Sequence, residues 1–277
     1  MFKLTRNPAE LADIARKIRI DIIEMLAKAG SGHAGGSLSS ADILAALYFG
    51  VMNHDPKNPL SPARDYFILS KGHVCPALYA ALAEAGYFER EEIFTLRACG
   101  SRLQGHPALN KMLPGIEVSS GSLGQGLSVG VGLALGLRMD GKSNRVYVLM
   151  GDGEQDEGQV WEAYMAAAHY KLDNICAVID NNNLQIDGFI PDVMNIYPLE
   201  DKLRAFNWNA VTCGGHDLSA LLAAFDEAEK TKGKPTAIVA KTIKGKGVSF
   251  MENKAAWHGK APNADESKAA LAELKRK

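Results

Sequence analysis

Val146-Tyr147-Val148-Leu149-Met150-Gly151-Asp152-Gly153-Glu154 is an apolar, β-branched run that ends abruptly in glycines and carboxylates. A second run, closing with Val178-Ile179-Asp180-Asn181-Asn182-Asn183, ends the same way. Buried parallel strands deliver side chains to the carboxyl edge of a sheet in this manner. Glu157 to Tyr170 lies between them and reads as a helix, so the stretch is a βαβ unit. Asp152 supplies a carboxylate oxygen and Asn182 an amide oxygen, ligand types that suit Mg²⁺ or Ca²⁺. The flanking glycines let the backbone approach an anion closely. A metal and diphosphate site is therefore expected at this edge, although a strand-end aspartate beside glycine also commonly bonds its own backbone.

Outward from this unit the same alternation continues. Tyr66 to Leu69, Asn209 to Cys213 and Thr236 to Ala240 read as further strands, with a helix at Leu218 to Glu229, which predicts an α/β fold with a doubly wound parallel sheet flanked by helices. Toward the N-terminus, Pro8 and Glu10 open an amphipathic helix carrying Leu11, Ile14, Ile18, Ile22, Met25 and Leu26, and Gly30-Ser31-Gly32 ends it. Ser39 or Ser40 is expected to cap a second helix running through Tyr48. Asn53 to Pro62 is a polar loop, and Pro76 to Ala85 and Glu89 to Leu96 are predicted helices. Gly100 to Glu117 is long and irregular for a connection, which places it over a functional site. The helix from Gly124 to Arg138 carries Gly126, Gly130, Gly132 and Gly136, at a cost in helix stability, and that suits tight packing on a subunit interface or on the sheet. Ala264 to Lys277 reads as a surface helix free to fray.

A chain of 277 residues can bury one large α/β core, and one domain spanning 1–277 is the expectation. Lys+Arg 31 against Asp+Glu 32 leaves a formal charge of −1, which argues against a nucleic-acid footprint or a polybasic membrane surface. Cys75, Cys99, Cys176 and Cys213 are widely spaced and read as reduced thiols of a cytoplasmic protein. Met1 to Arg19 lacks an apolar leader core, and no apolar stretch is expected to reach membrane-spanning length.

With the βαβ unit in place, the chain resembles the thiamine diphosphate enzymes, whose fingerprint is Gly-Asp-Gly followed by an asparagine pair at the end of the next strand. Ser31-Gly32-His33, Leu69-Ser70-Lys71-Gly72-His73, Gly105-His106-Pro107, Gly121-Ser122-Leu123-Gly124-Gln125-Gly126, Lys241-Thr242-Ile243-Lys244-Gly245-Lys246-Gly247 and Trp257-His258-Gly259 stand in the order seen in transketolases. A single-chain transketolase is more than twice this long. The sequence resembles its N-terminal, diphosphate-binding half alone, as in split transketolases made of two polypeptides.

The resemblance implies the thiamine diphosphate-binding fold and two-carbon ketol transfer between sugar phosphates, with the cofactor as electron sink. It implies a metal site at Asp152, Asn182 and the Leu184 carbonyl, holding Mg²⁺ with Ca²⁺ or Mn²⁺ able to substitute. It places His73, His258, Lys244 and the Gly153 N–H on the diphosphate, and Gly121, Ser122, Leu123 and Ile186 against the cofactor's rings. His33 and His106 are expected at the reacting end, in contact with sugar hydroxyls and moving protons, with His258 also counted in the catalytic set. Glu157 and Glu162 are implied at a subunit interface, in a carboxylate network linking paired cofactors, with Glu157 also near the cofactor. His169 and His216 are left structural. The implied partner is a C-terminal, pyrimidine-binding transketolase subunit carrying the activating glutamate, in an assembly with two copies of each chain. A 1-deoxyxylulose-5-phosphate synthase-like or 2-oxoacid dehydrogenase-like subunit, a non-catalytic relative, and a transketolase for a branched or sulfonated sugar stand as alternatives.

Overall fold

The computed structural model describes residues 4–276; Met1 to Lys3 and Lys277, which belong to the predicted domain and, for Lys277, to the predicted last helix, lie outside the described residues. Five parallel strands form one sheet in the order β1-β2-β3-β5-β4. They are β1 (Tyr66–Leu69), β2 (Val146–Gly151), β3 (Ile175–Asn181), β4 (Asn209–Gly214) and β5 (Thr236–Lys241). Each matches an apolar run read from the sequence to within a residue or two. Register pairs Gly151 with Asp180 and Asn181 with Lys241, so the three central strands deliver their last residues to one edge.

The two-residue period of the strands builds two cores. Tyr147, Leu149, Cys176, Val178, Ile238 and Ala240 face α1 (Pro8–Ala29), α2 (Ala34–Ala46), α3 (Cys75–Ala85) and α8 (Leu218–Lys230). Val146, Val148, Met150, Ile175, Ala177, Ile179, Ala237 and Val239 face α4 (Gln125–Met139), α5 (Gly158–His169) and α7 (Leu199–Ala205). Helices thus cover both faces, as the apolar runs require.

Several boundaries differ from expectation. Helix α2 starts at Ala34 with His33 at its N-cap, so neither Ser39 nor Ser40 caps it. Both serines are fully buried inside the helix, where their hydroxyls donate to the Gly36 carbonyl and to Asp180. Every residue of α2 is buried, and a π-turn at Leu47–Val51 prolongs it. Ala34–Val51 is long and apolar enough to cross a membrane, contrary to the sequence reading, but 94% of it is buried against the rest of the fold. It is a core helix, which needs apolar residues all round. The predicted helix over 89–96 is a 3₁₀ segment at Arg90–Thr95, and the short α6 (Ile190–Val193) and α7 were not foreseen. Helix α9 (Ala264–Lys275) is no loose surface helix: Asn263 and Glu266 form a reciprocal capping box, and Ala270 and Leu274 are buried in the α1 core. The four cysteines are unpaired.

The glycines of α4 divide between two environments. A Cβ on Gly126 would lie 2.7 Å from the Ser70 Cα, and one on Gly130 would lie 2.7 Å from Val148 Cγ2, so these two bring the helix onto the sheet. Gly132 and Gly136 face open space. Gly126→Ala is therefore expected to destabilise the chain by about 1–3 kcal/mol through overpacking, whereas Gly132→Ala should stabilise the isolated chain by up to about 1 kcal/mol through helix propensity. Urea denaturation of the two variants checks the opposite signs.

Candidate active site

Four segments meet at the carboxyl edge. β1 runs into Ser70-Lys71-Gly72-His73, β2 into Asp152-Gly153-Glu154, β3 into Asn182-Asn183-Leu184, and β5 into the Thr242 to Gly247 loop. The N-terminus of α2, with His33 and Gly36, closes one side, and the turn at Gly121 and Leu123 closes another. Together they line a cleft of ≈ 240 Å³.

Beneath its floor sits Asp180, fully buried on β3. Its carboxylate accepts from the Lys71 ammonium, from Ser39 Oγ at 2.6 Å, from Ser40 Oγ at 3.3 Å, from Asn182 Nδ2 at 3.2 Å and from the Thr242 hydroxyl. Burial opposes its charge, but the Lys71 ammonium and these donors hold it below the usual carboxylate range. Glu154 is likewise committed: its carboxylate accepts from the Ser70 hydroxyl, from the Gly124 N–H at 2.9 Å and from the Gly151 N–H at 2.9 Å.

Asp152, unlike Asp180, forms no ion pair among the described residues and is held by two backbone amides. Oδ1 accepts from the Gly153 N–H at 2.8 Å and Oδ2 from the Asn183 N–H at 2.5 Å. Burial, and then the nearby charge of Asp180, push its carboxyl up to about 7. The Gly153 N–H is engaged by this carboxylate, which is the backbone-bonding use that the sequence left open. Asn182 Oδ1 accepts from the Leu184 N–H at 3.2 Å, and the Leu184 carbonyl accepts from Lys244 Nζ at 3.0 Å. Lys244 is buried, and its Nζ also lies 2.9 Å from His258 Nδ1. Burial draws its pKa down to about 8, against the pull of Asp152 and Asp180.

A divalent cation fits these residues. The donor set is one carboxylate, one amide oxygen and one carbonyl, all hard oxygens; the carbonyl already faces an ammonium; and the raised Asp152 carboxyl marks a negative charge that the protein alone does not balance. Among the described residues no group of three or more His, Cys, Asp or Glu side chains is arranged to hold a metal, which sets this arrangement apart from a zinc-type site.

Imidazoles line the other side. The His33 ring centroid lies 5.1 Å from that of His73, 5.6 Å from that of His258 and 6.4 Å from that of His106, and His73 lies 5.1 Å from His258. Burial, then Arg97, lowers His33 to about 4; burial, then Lys244, lowers His258 to about 3; and burial, then Lys71, takes His73 well below the ordinary value. All three are neutral at pH 7 and able to accept as well as donate. The buried Nδ1 of His33 has no hydrogen-bond partner among the described residues.

Of the residues singled out in the sequence, His33, His73, Gly121, Leu123, Asp152, Gly153, Asn182, Leu184, Ile186, Lys244 and His258 line the cleft. His106 does not line it but stands exposed at the rim, its ring 3.6 Å from where a Gly121 Cβ would lie, which puts part of the irregular 100–117 segment beside the site. Ser122 is exposed outside the cleft, as are Glu157 and Glu162 on the solvent side at the start of α5, so one chain alone does not bring these three to the cofactor position. His216, left structural in the sequence reading, lies outside the cleft and bonds Asp42 and the Ile243 N–H. Sequence reasoning passed over Lys71, Glu154 and Gln185, all of which line the cleft. Lys71 and Glu154 had a signal, for each is a charge within three residues of the end of a buried strand and must find a partner.

The sheet edge, the hard oxygens and the buried lysines form a cleft suited to an anionic group at the edge of an α/β domain. The chain belongs to the transketolase family: residues 10–275 match the family model described as transketolase, thiamine diphosphate binding domain. A 6-deoxy-6-sulfo-D-fructose transketolase subunit of Clostridium sp. (strain MSTE9) is 45% identical over 273 residues, 99% of each chain. An apulose-4-phosphate transketolase subunit of Phocaeicola vulgatus is 44% identical, over 94% of this chain and 92% of that one. Human transketolase is 44% identical over 90% of this chain but only 40% of its own length. The structure of Pichia stipitis transketolase in complex with sedoheptulose 7-phosphate superposes with a TM-score of 0.91 at 32% identity, covering 96% of this chain and 40% of that one. The chain thus spans about two fifths of the single-chain transketolases and nearly the whole of relatives named as subunits.

Proposed function

We propose that this chain is the thiamine diphosphate-binding subunit of a two-chain transketolase that moves a two-carbon ketol unit from a ketose phosphate to an aldose phosphate. The observation that carries the reading is the cleft itself, in which hard oxygen donors, two buried lysines and three neutral histidines face one another at a sheet edge. Asp152 and Asn182 with the Leu184 carbonyl would hold Mg²⁺, for which Ca²⁺ or Mn²⁺ could substitute, and Lys244, His73 and His258 would take the diphosphate. Thiamine diphosphate, when bound, supplies the electron sink for breaking the bond beside the ketose carbonyl. Leu123 and Ile186 would flank its rings. His33 and His106 would bind the sugar hydroxyls, and His33 Nδ1, which has no partner among the described residues, would exchange a proton there.

A separate pyrimidine-binding subunit is part of the proposal. It is supported by the relatives named as subunits and by an apolar rim beside the cleft, where Ile186, Phe189, Val193 and Met194 are 41–65% exposed. Self-association of this chain, with Glu157 and Glu162 at the contact, is supported by a second exposed strip formed by Val129, Gly132, Gly136 and Met139 on α4 and Met165 on α5. A cytoplasmic location accords with four unpaired cysteines. A second reading has a sulfonated or branched ketose as donor, and the names of the two relatives matched over nearly their full length favour it.

Ketol transfer from a panel of phosphorylated, sulfonated and branched ketoses, measured with the chain and its candidate partner together, tests the proposal. Absence of transfer from every donor by a cofactor-loaded complex would remove it. Within that assay His106→Ala should lower kcat/KM for the donor by about 10²-fold, as expected for a lost proton-transfer or positioning group. Its affinity for thiamine diphosphate should stay within a factor of a few. Normal kinetics with weakened cofactor binding would reverse the roles assigned to the rim and the floor.

A further inference from the structure

His216 lies outside the cleft, in the turn between β4 and α8, yet its ring is held at both nitrogens. Behind it, Arg19 is buried and donates through Nη1 at 3.2 Å and Nη2 at 2.5 Å to Asp42, and through Nε at 3.2 Å to the Leu38 carbonyl. Asp42 Oδ2 lies 2.6 Å from His216 Nδ1. Burial opposes the Asp42 charge, but Arg19 and His216 keep its carboxyl below the usual range, so it is an acceptor. On the far side, the Ile243 N–H donates to His216 Nε2 at 2.8 Å. A backbone N–H can only donate, so Nε2 carries the lone pair and Nδ1 the proton: the neighbours fix one tautomer.

Ile243 is the residue immediately before Lys244. The loop around it is tied down by the Thr242 N–H on the Asn181 carbonyl at 3.0 Å, by the Gly245 N–H on the Gly35 carbonyl at 2.9 Å and by the Asn253 N–H on the Lys244 carbonyl at 2.9 Å. Lys71 has the buried Asp180 carboxylate to hold it in place, but Lys244 reaches, among the described residues, a carbonyl and an imidazole. Burial works against its charge. Such an ammonium stays in the cleft only while its backbone is fixed, because water is the alternative.

We infer that His216 is a positioning residue: backed by Asp42 and Arg19, it clamps the Ile243 amide and thereby sets the reach of Lys244 into the cleft. The inference rests on the reading of Lys244 as part of the diphosphate site, and its test separates the two. Pulse acylation of the folded chain with acetic anhydride, read by mass spectrometry, compares Lys244 with Lys71 as an internal control. His216→Phe keeps a ring of similar size but removes both nitrogens, and it should raise the acylation rate of Lys244 about tenfold through local opening of the loop while leaving Lys71 protected. His216→Gln, whose amide oxygen can accept the Ile243 N–H, should restore protection. Should the Phe variant fail to fold, Asp42→Asn, which keeps the shape behind the imidazole and removes the charge, makes the same comparison.

Unchanged Lys244 reactivity in a folded variant would overturn the inference, and so would a parallel rise at Lys71 and Lys244, the signature of general loosening. Lys244→Ala completes the set by calorimetry with Mg²⁺ and thiamine diphosphate. If its affinity is unchanged while His216→Phe still unmasks Lys244, the clamp stands and Lys244 leaves the diphosphate site. If Lys244→Ala binds weakly, His216→Phe should bind weakly too, and wild-type affinity in His216→Phe would again overturn the inference.

Discussion

Asp152→Ala is expected to abolish Mg²⁺-dependent binding of thiamine diphosphate, with affinity falling by about 10³-fold or more, because the one carboxylate among the proposed ligands is lost and the ion that would bridge protein and diphosphate goes with it. Calorimetric titration with Mg²⁺ and cofactor, in the presence of the partner, reads this directly, and wild-type affinity would remove Asp152 from the metal site. The isoster Asp152→Asn adds a test on the unloaded chain. The Asp152 carboxyl is raised to about 7, so between the ordinary aspartate range and that value the folded state holds a proton that the unfolded state has released. Its contribution to stability is therefore full at low pH and is lost as pH rises through about 7. His33 and His258 run the other way: lowered to about 4 and about 3, they are neutral when folded, and stability falls as pH drops through the ordinary histidine range. Between pH 7 and pH 5 the two effects oppose each other in the wild type. Removing the aspartate leaves the histidines alone, so the Tm of Asp152→Asn should exceed that of the wild type at pH 8 and fall more steeply on acidification. Parallel Tm profiles would show that Asp152 is not buried as an uncompensated charge.

Mixed with no other protein, the chain is expected to show negligible ketol transfer, at least ~10²-fold below the reconstituted complex and further if proton transfer and positioning both fail. Among the described residues two carboxylates line the cleft, Asp152 and Glu154. Asp152 is assigned to the metal, and Glu154 is saturated by Ser70, Gly124 and Gly151. Neither is free to activate the pyrimidine of the cofactor. Assays of the chain alone and with its candidate partner, alongside light scattering, measure both the activation and the stoichiometry, for which two copies of each chain are expected. Full activity from the chain alone would defeat the two-chain reading.

Much of this architecture was legible because strands buried on both faces leave unbroken apolar runs, and hard ligands at their ends stand out against them. The glycine-flanked histidines were legible for a similar reason: His33, His73 and His258, three of the residues lining the cleft, follow strand or helix junctions that the sheet gathers at one edge. What stayed hidden depended on distant partners. Lys71 and Asp180 are far apart in sequence, and nothing in their spacing shows that they neutralise each other beneath the floor. Helix α2 is buried all round, so it has no polar stripe to mark its ends, and Ser39 and Ser40 passed for caps while serving Asp180 from within the helix. Asn263 and Glu266, by contrast, were visible as a capping signal for the last helix and were overlooked. Glu157, Glu162 and Ser122 matched family positions, but a single chain exposes them to solvent. Any part they play at a cofactor depends on what covers that surface.

The hub at Asp180 bears on when the cleft takes its shape. One carboxylate ties down helix α2 through its serines, the end of β1 through Lys71, the asparagine loop through Asn182 and the start of the β5 loop through Thr242. These four segments come from distant parts of the chain, and a hub made of the chain's own groups holds their mutual placement. A seat built in advance spends little ordering entropy on its occupant. Affinity can then go into orienting the diphosphate, and chain folding and cofactor loading become separable events.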